Sequence, residues 1–164
     1  MVYNFKELYL LQKELDHEIH QFHHVDYSNT MSKRALALLV EIGEFANETR
    51  CFKYWSLKPS SEREVVLEEY IDGIHFILSL GIAIGIDINS NFATDISNLE
   101  LVDAFLDSYE AAIKFTKNYD SNDYINLFKS YLSLGEKFGF SYDDIHRIYL
   151  KKNAINHQRQ NSHY

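Results

Sequence analysis

Apolar residues recur along this chain every three to four positions, and almost nowhere do they alternate with polar ones. That period belongs to helices that bury one face. Phe5, Leu8, Leu11, Leu15, Ile19 and Phe22 form one stripe and predict a first helix from about Asn4 to Val25, broken by the turn-forming run Asp26-Tyr27-Ser28-Asn29. Leu36, Leu39, Ile42, Gly43 and Ala46 predict a second helix from about Ser32 to Thr49, followed by a loop from Arg50 to Ser60. Ser61-Glu62-Arg63-Glu64 has the form of a capping box, so a third helix is expected to begin there and to run to about Ile84, with Gly85 as its stop. The remaining pattern predicts helices over about Asn98 to Lys117, Asn122 to Phe138 and Ser141 to Gln160. Asp120 or Ser121 would cap the fifth and Gly139 would end it. The expected fold is all-α, a bundle of about six helices in one domain spanning residues 1–164.

Composition agrees with long helices, since the chain has one proline and six glycines. Cys51 stands alone, which rules out an internal disulfide and a cysteine zinc site and makes a reducing cytoplasm the expected location. Glu7, Glu14 and Asp16 interrupt any signal-like apolar stretch near the N-terminus. The run Phe76 to Ile86 is shorter than the roughly 20 residues that span a bilayer. A formal charge of −8 argues against broad nucleic-acid binding, and it makes a free polyphosphate a poor ligand unless cations stand between the two anions.

Two acidic pairs give that last condition chemical content. Glu41 and Glu44, then Glu69 and Asp72, are each spaced i, i+3, so each pair shares one helix face. Both pairs lie in strongly apolar surroundings, after Ala35 to Val40 in one case and before Phe76-Ile77-Leu78 in the other. Four carboxylates converging from two packed helices repel one another unless cations hold them, and the cations suited to oxygen donors are Mg²⁺ and Mn²⁺, two or three of them. Acids on solvated faces are the common alternative for either pair alone. Lys152, Asn156 and Arg159, at i, i+4 and i+7, form a second polar stripe, able to grip phosphate oxygens or simply to face solvent.

Taken together, these residues resemble a known family. Glu41-x-x-Glu44, the loop Lys53-Tyr54-Trp55-Ser56, and Glu68-Glu69-Tyr70-Ile71-Asp72-Gly73-Ile74-His75-Phe76 are similar to the dimeric, all-α dUTP diphosphatases, within the wider MazG-like group of nucleoside-triphosphate pyrophosphohydrolases. Lys152-Asn153, Asn156, Arg159-Gln160 and the terminal Tyr164 resemble that family's C-terminal signature, and the similarity runs from about Leu8 to the last residue. The resemblance implies Mg²⁺-dependent hydrolysis of dUTP, and of dUDP, to dUMP by a homodimer. It implies Glu41, Glu44, Glu69 and Asp72 as metal ligands, with Glu44 chosen as the proton acceptor for the attacking water. It also implies phosphate contacts from the tail at about residues 150–164, and a polar pair, Gln12 and Asp16, near base and sugar, although the family more often has asparagine where Asp16 stands.

Other residues keep two readings each. Trp55 can stack on a pyrimidine or plug the bundle end; Lys53 and Lys58 can reach phosphate or remain exposed; His75 can support Asp72 or sit in the core. Gly81 and Gly85 can allow close approach at a subunit contact or serve ordinary packing. His17, His20, His23 and His24 tempt a zinc reading, but His23 and His24 diverge on a helix and no cysteine joins them. Three rivals compete with the dUTP reading: a pyrophosphohydrolase for another nucleotide, a di-iron bundle, and a non-catalytic interaction protein. The di-iron design needs two Glu-x-x-His motifs, of which only Glu14 to His17 is at hand. A further protein-binding role beside catalysis is not legible in these residues.

Overall fold

A computed structural model describes residues 2–87, 89–94 and 98–161. Six helices carry the fold: α1 (Lys6–His23), α2 (Tyr27–Thr49), α3 (Arg63–Ala83), α4 (Leu101–Asn118), α5 (Ser121–Lys137) and α6 (Tyr142–Asn161). The sixfold all-α expectation holds, with one addition that the periodicity did not reveal. Short strands β1 (Val2–Asn4) and β2 (Asn91–Ala93) pair antiparallel, Tyr3 opposite Phe92. Three residues per strand are too few to register as alternation. The phenol of Tyr3 donates to Oε1 of Glu136 at 3.0 Å, and the Thr94 hydroxyl donates to the same oxygen at 2.5 Å, which fastens this ribbon to α5.

Two boundaries differ from expectation for reasons of capping. Asp26 lies in the expected break between α1 and α2, and it also starts the second helix. Its side chain accepts from the Asn29 amide at 3.1 Å and the Asn29 side chain accepts from the Asp26 amide at 3.0 Å, so α2 begins at Tyr27, a turn earlier than expected. At α3 the expected box does not form. The Ser61 hydroxyl donates instead to the Glu48 carboxylate, and Glu62 is the N-cap without a side-chain bond. Asp120 does cap α5, accepting from the amides of Asn122 and Asp123. Gly85 and Gly139, at φ 73° and 65°, end α3 and α5 in the left-handed conformation that glycine tolerates.

Helix α3 is the centre of the bundle, packed by α1, α2, α5 and α6, while α4 lies outside against α2 and α5. Its residues from Val66 to Gly81 are buried except Glu68, Glu69, Asp72 and Phe76. Tyrosine rings set how closely its neighbours approach. Tyr131 of α5 lies on Gly73, stacked at 4.9 Å on Tyr70 and donating to the Tyr70 carbonyl at 2.9 Å. Gly81 is covered in the same way by Tyr124 and Tyr9, so its small size serves packing inside the chain and not a subunit contact. Gly73→Ala would drive a methyl into the Tyr131 phenol. It should destabilise the fold by about 1–3 kcal/mol and lower turnover through the neighbouring Asp72. Urea unfolding measures this; an unchanged midpoint would contradict the close Tyr131 contact.

Candidate active site

The acids meet where α2, α3 and α6 border a cleft of about 630 Å³. On α2, Leu38, Ile42, Phe45 and Ala46 go to the core, which turns Glu41 and Glu44 to the opposite wall. On α3, Glu69, Asp72 and Phe76 follow i, i+3, i+7, so these three half-buried positions of an otherwise largely buried stretch face the same space. Glu41, Glu69 and Asp72 each bring a carboxylate oxygen within 4.8 Å of the others, and all three are half-buried. Glu44 lines the cleft but is more exposed and stands outside this trio.

Electrostatics report the crowding. Burial, then the charges of Asp72, Glu44 and Glu69, push the Glu41 carboxyl up to about 7. Glu69 is raised by burial and by Asp72; Asp72 is raised by burial, against the pull of Lys152. The Lys152 ammonium sits 2.5 Å from Asp72 Oδ2, so one cation of the tail already partly offsets the acids. Asn156 and Arg159 line the cleft one and two turns further along α6, as the i, i+4, i+7 stripe anticipates, and Arg159 donates to Asn156 at 3.3 Å. Tyr164 lies outside the described residues.

Beyond the acids, the inner end of the cleft is a network that the sequence only half revealed. Gln12 and Asp16 are there, 4% and 1% exposed, but their polar atoms bond to protein groups. The Nδ1–H of His75 donates to Gln12 Oε1 at 2.8 Å and the ring stacks at 4.0 Å on Tyr149; it does not bond Asp72. Burial holds its pKa down at about 3, so the ring is neutral. Arg34, Thr30, Ser79, Lys33 and Phe76 also line this space and were missed. A signal existed for the first two: Thr30, Arg34, Leu38 and Ile42 run at i, i+4, i+8, i+12, which places Arg34 on the buried face of α2.

The loop residues are elsewhere. Within one chain, Lys53, Trp55 and Lys58 do not line the cleft. Lys53 donates to Asn47 at 2.5 Å, Trp55 is 65% exposed beside Tyr54, and the Lys58 carbonyl accepts from Arg50 at 3.0 Å. Trp55 is thus neither a core plug nor a wall of this cleft; Arg50 bonds hold the turn outward. Glu14 and His17 are exposed and away from the cleft, which removes the di-iron arrangement, and His23 and His24 are exposed as well. No described helix is long and apolar enough to cross a membrane.

A family model described as dUTPase matches residues 4–164. No curated protein matches the chain.

Proposed function

The chain belongs to the all-α dUTPase family, hydrolases that cleave dUTP, and on that premise we propose that its reaction depends on Mg²⁺ or Mn²⁺ and extends to dUDP. The observation that carries this is the convergence of Glu41, Glu69 and Asp72 from two helices into one half-buried cluster. The donor set fits a hard cation: all oxygen, anionic, and electrostatically costly without one. These three residues would hold one ion, and Glu44 on the same wall would add a donor for a further one. Such ions, when bound, neutralise phosphate charge and make water a better nucleophile.

The chain's own groups do the rest. Glu44 takes the proton of the water whose oxygen bonds to the α-phosphorus as the bridging P–O bond to the β-phosphate breaks, and diphosphate leaves from dUTP or phosphate from dUDP. Lys152, Asn156 and Arg159 grip the phosphate oxygens, the guanidinium as a fork. Gln12, His75 and the rest of the inner end enclose the base. Turnover of dUTP, dUDP, dTTP, dCTP and UTP, each with Mg²⁺ and with EDTA, tests the proposal. Selective, EDTA-sensitive release of dUMP from dUTP and dUDP supports it; full activity in EDTA contradicts the metal.

Proton and metal compete for Glu41. A carboxyl whose folded pKa lies near 7 against an ordinary 4.5 binds its proton more tightly in the folded state, so the metal-free protein gains stability as pH falls from about 7 towards 4.5. The cation needs the ionised form. Its half-saturating concentration should therefore rise about tenfold per pH unit below 7 and level off above it. A Mg²⁺ titration of activity across that range checks the slope; a flat response contradicts the assignment of Glu41.

Pairing with a second copy is the further part of the proposal. Leu36 and Val40 on α2 and Leu106 and Ile113 on α4 are exposed on helices that pack together, with Tyr109 donating to the Leu39 carbonyl at 3.1 Å. Light scattering should give twice the mass of the chain; a monomer at micromolar concentration contradicts it.

A further inference from the structure

The inner end of the cleft contains a buried ion pair whose bonds leave Asp16 nothing to offer a ligand. Asp16 Oδ1 accepts from Gln12 Nε2 at 2.9 Å and lies 3.2 Å from Arg34; Oδ2 accepts from Ser79 at 2.6 Å and Tyr27 at 2.9 Å. The guanidinium of Arg34 is itself held by Thr30 at 3.0 Å, by Ser79, by His20 Nε2 at 2.6 Å and over the Tyr27 ring at 4.9 Å. It cannot give up its proton, so it fixes Asp16 as an acceptor on both oxygens.

That charge orders the next two residues. A carboxylate that only accepts requires the Gln12 amide to present its NH₂ group, which turns Oε1 away from it. Oε1 then accepts from the Tyr149 phenol at 2.7 Å and meets His75 Nδ1 at 2.8 Å. An amide oxygen has no proton, so His75 must donate from Nδ1. The neutral ring therefore carries its one proton on Nδ1, and Nε2 is a bare acceptor. Nε2 has no partner among the described residues, although His75 is only 6% exposed and lines the cleft. A buried acceptor without a donor is costly, and a ligand that brings one is favoured.

We infer that Arg34, Asp16 and Gln12 are positioning residues that hold His75 Nε2 ready to accept the ring N–H of the bound base, so that the site takes uracil and refuses cytosine. Uracil carries a proton on its N3 and cytosine a lone pair there. Cytosine would face His75 acceptor to acceptor. The inference rests on the dUTP reading and deepens it: Asp16 does not touch base or sugar but sets the polarity of the residues that do. It also accounts for a carboxylate where the family more often has an amide, since Arg34 needs a counter-charge in this buried position.

Nitrogen NMR of the full-length protein with labelled histidine tests the first step directly. His75 should carry its proton on Nδ1, and its Nε2 resonance should move when an unreactive imido analogue of dUTP is added with Mg²⁺ but not with the dCTP analogue. Gln12→Met, which keeps volume and removes the amide, should release the tautomer and lower the dUTP-to-dCTP ratio of kcat/KM by at least about tenfold. A proton on Nε2 in the wild type, an equal response to both analogues, or an unchanged ratio in Gln12→Met overturns the inference. If wild-type protein hydrolyses no dUTP, the reaction assignment fails separately, and the two analogue titrations still decide the base selection.

Discussion

Replacing Glu41 by glutamine is expected to cut kcat/KM for dUTP by about a thousand-fold, the loss of several kcal/mol of charge stabilisation at the phosphate, while raising the melting temperature of the metal-free protein at neutral pH. The two effects share one cause. Glu41 is half-buried beside Asp72, Glu44 and Glu69, and its carboxyl is pushed up to about 7 because its charge is unwelcome there without a cation. Glutamine keeps the shape and removes that charge, so the empty fold relaxes while the cation loses an anionic donor. Steady-state kinetics and thermal unfolding in EDTA measure both. Lower thermal stability together with full activity would show that Glu41 is an ordinary structural acid.

Glu44→Gln is expected to impair the proposed proton transfer more than the binding of the ion held by Glu41, Glu69 and Asp72. Glu44 faces the cleft yet stands outside the trio of Glu41, Glu69 and Asp72. Its loss should therefore lower kcat by about 10²–10⁴, the usual contribution of a general base, while KM for dUTP and the helical content change little. Mn²⁺ affinity should fall less than in Glu41→Gln, because three carboxylates of the cluster remain. Near-normal kcat in Glu44→Gln would move the base role to another carboxylate.

Much of this site was legible because helical spacing is a strong constraint. Glu69, Asp72 and Phe76 recur on one face of an otherwise buried helix, and Lys152, Asn156 and Arg159 do so on α6; in both cases spacing alone places the side chains on a common wall. Capping was harder to read. Asp26 with Asn29 and Ser61 with Glu64 look alike as patterns, but only the first closes on itself, because Glu48 from α2 takes the Ser61 hydroxyl. Local sequence does not contain that tertiary competitor. Arg34 was missed for a related reason: a charged residue reads as solvated until the buried partner, Asp16 on another helix, is known. The loop holding Lys53, Trp55 and Lys58 has no period to fix its direction, and in the single chain it turns away from the cleft.

Glu41, Glu69 and Asp72 are proposed to grip a divalent cation. A crystal grown with Mn²⁺ and an unreactive dUTP analogue would test it most directly, through the anomalous signal of the metal. The expected map has a peak at bonding distance from all three carboxylates, with the analogue's phosphates beside it. An analogue bound with no anomalous peak among these side chains would contradict it.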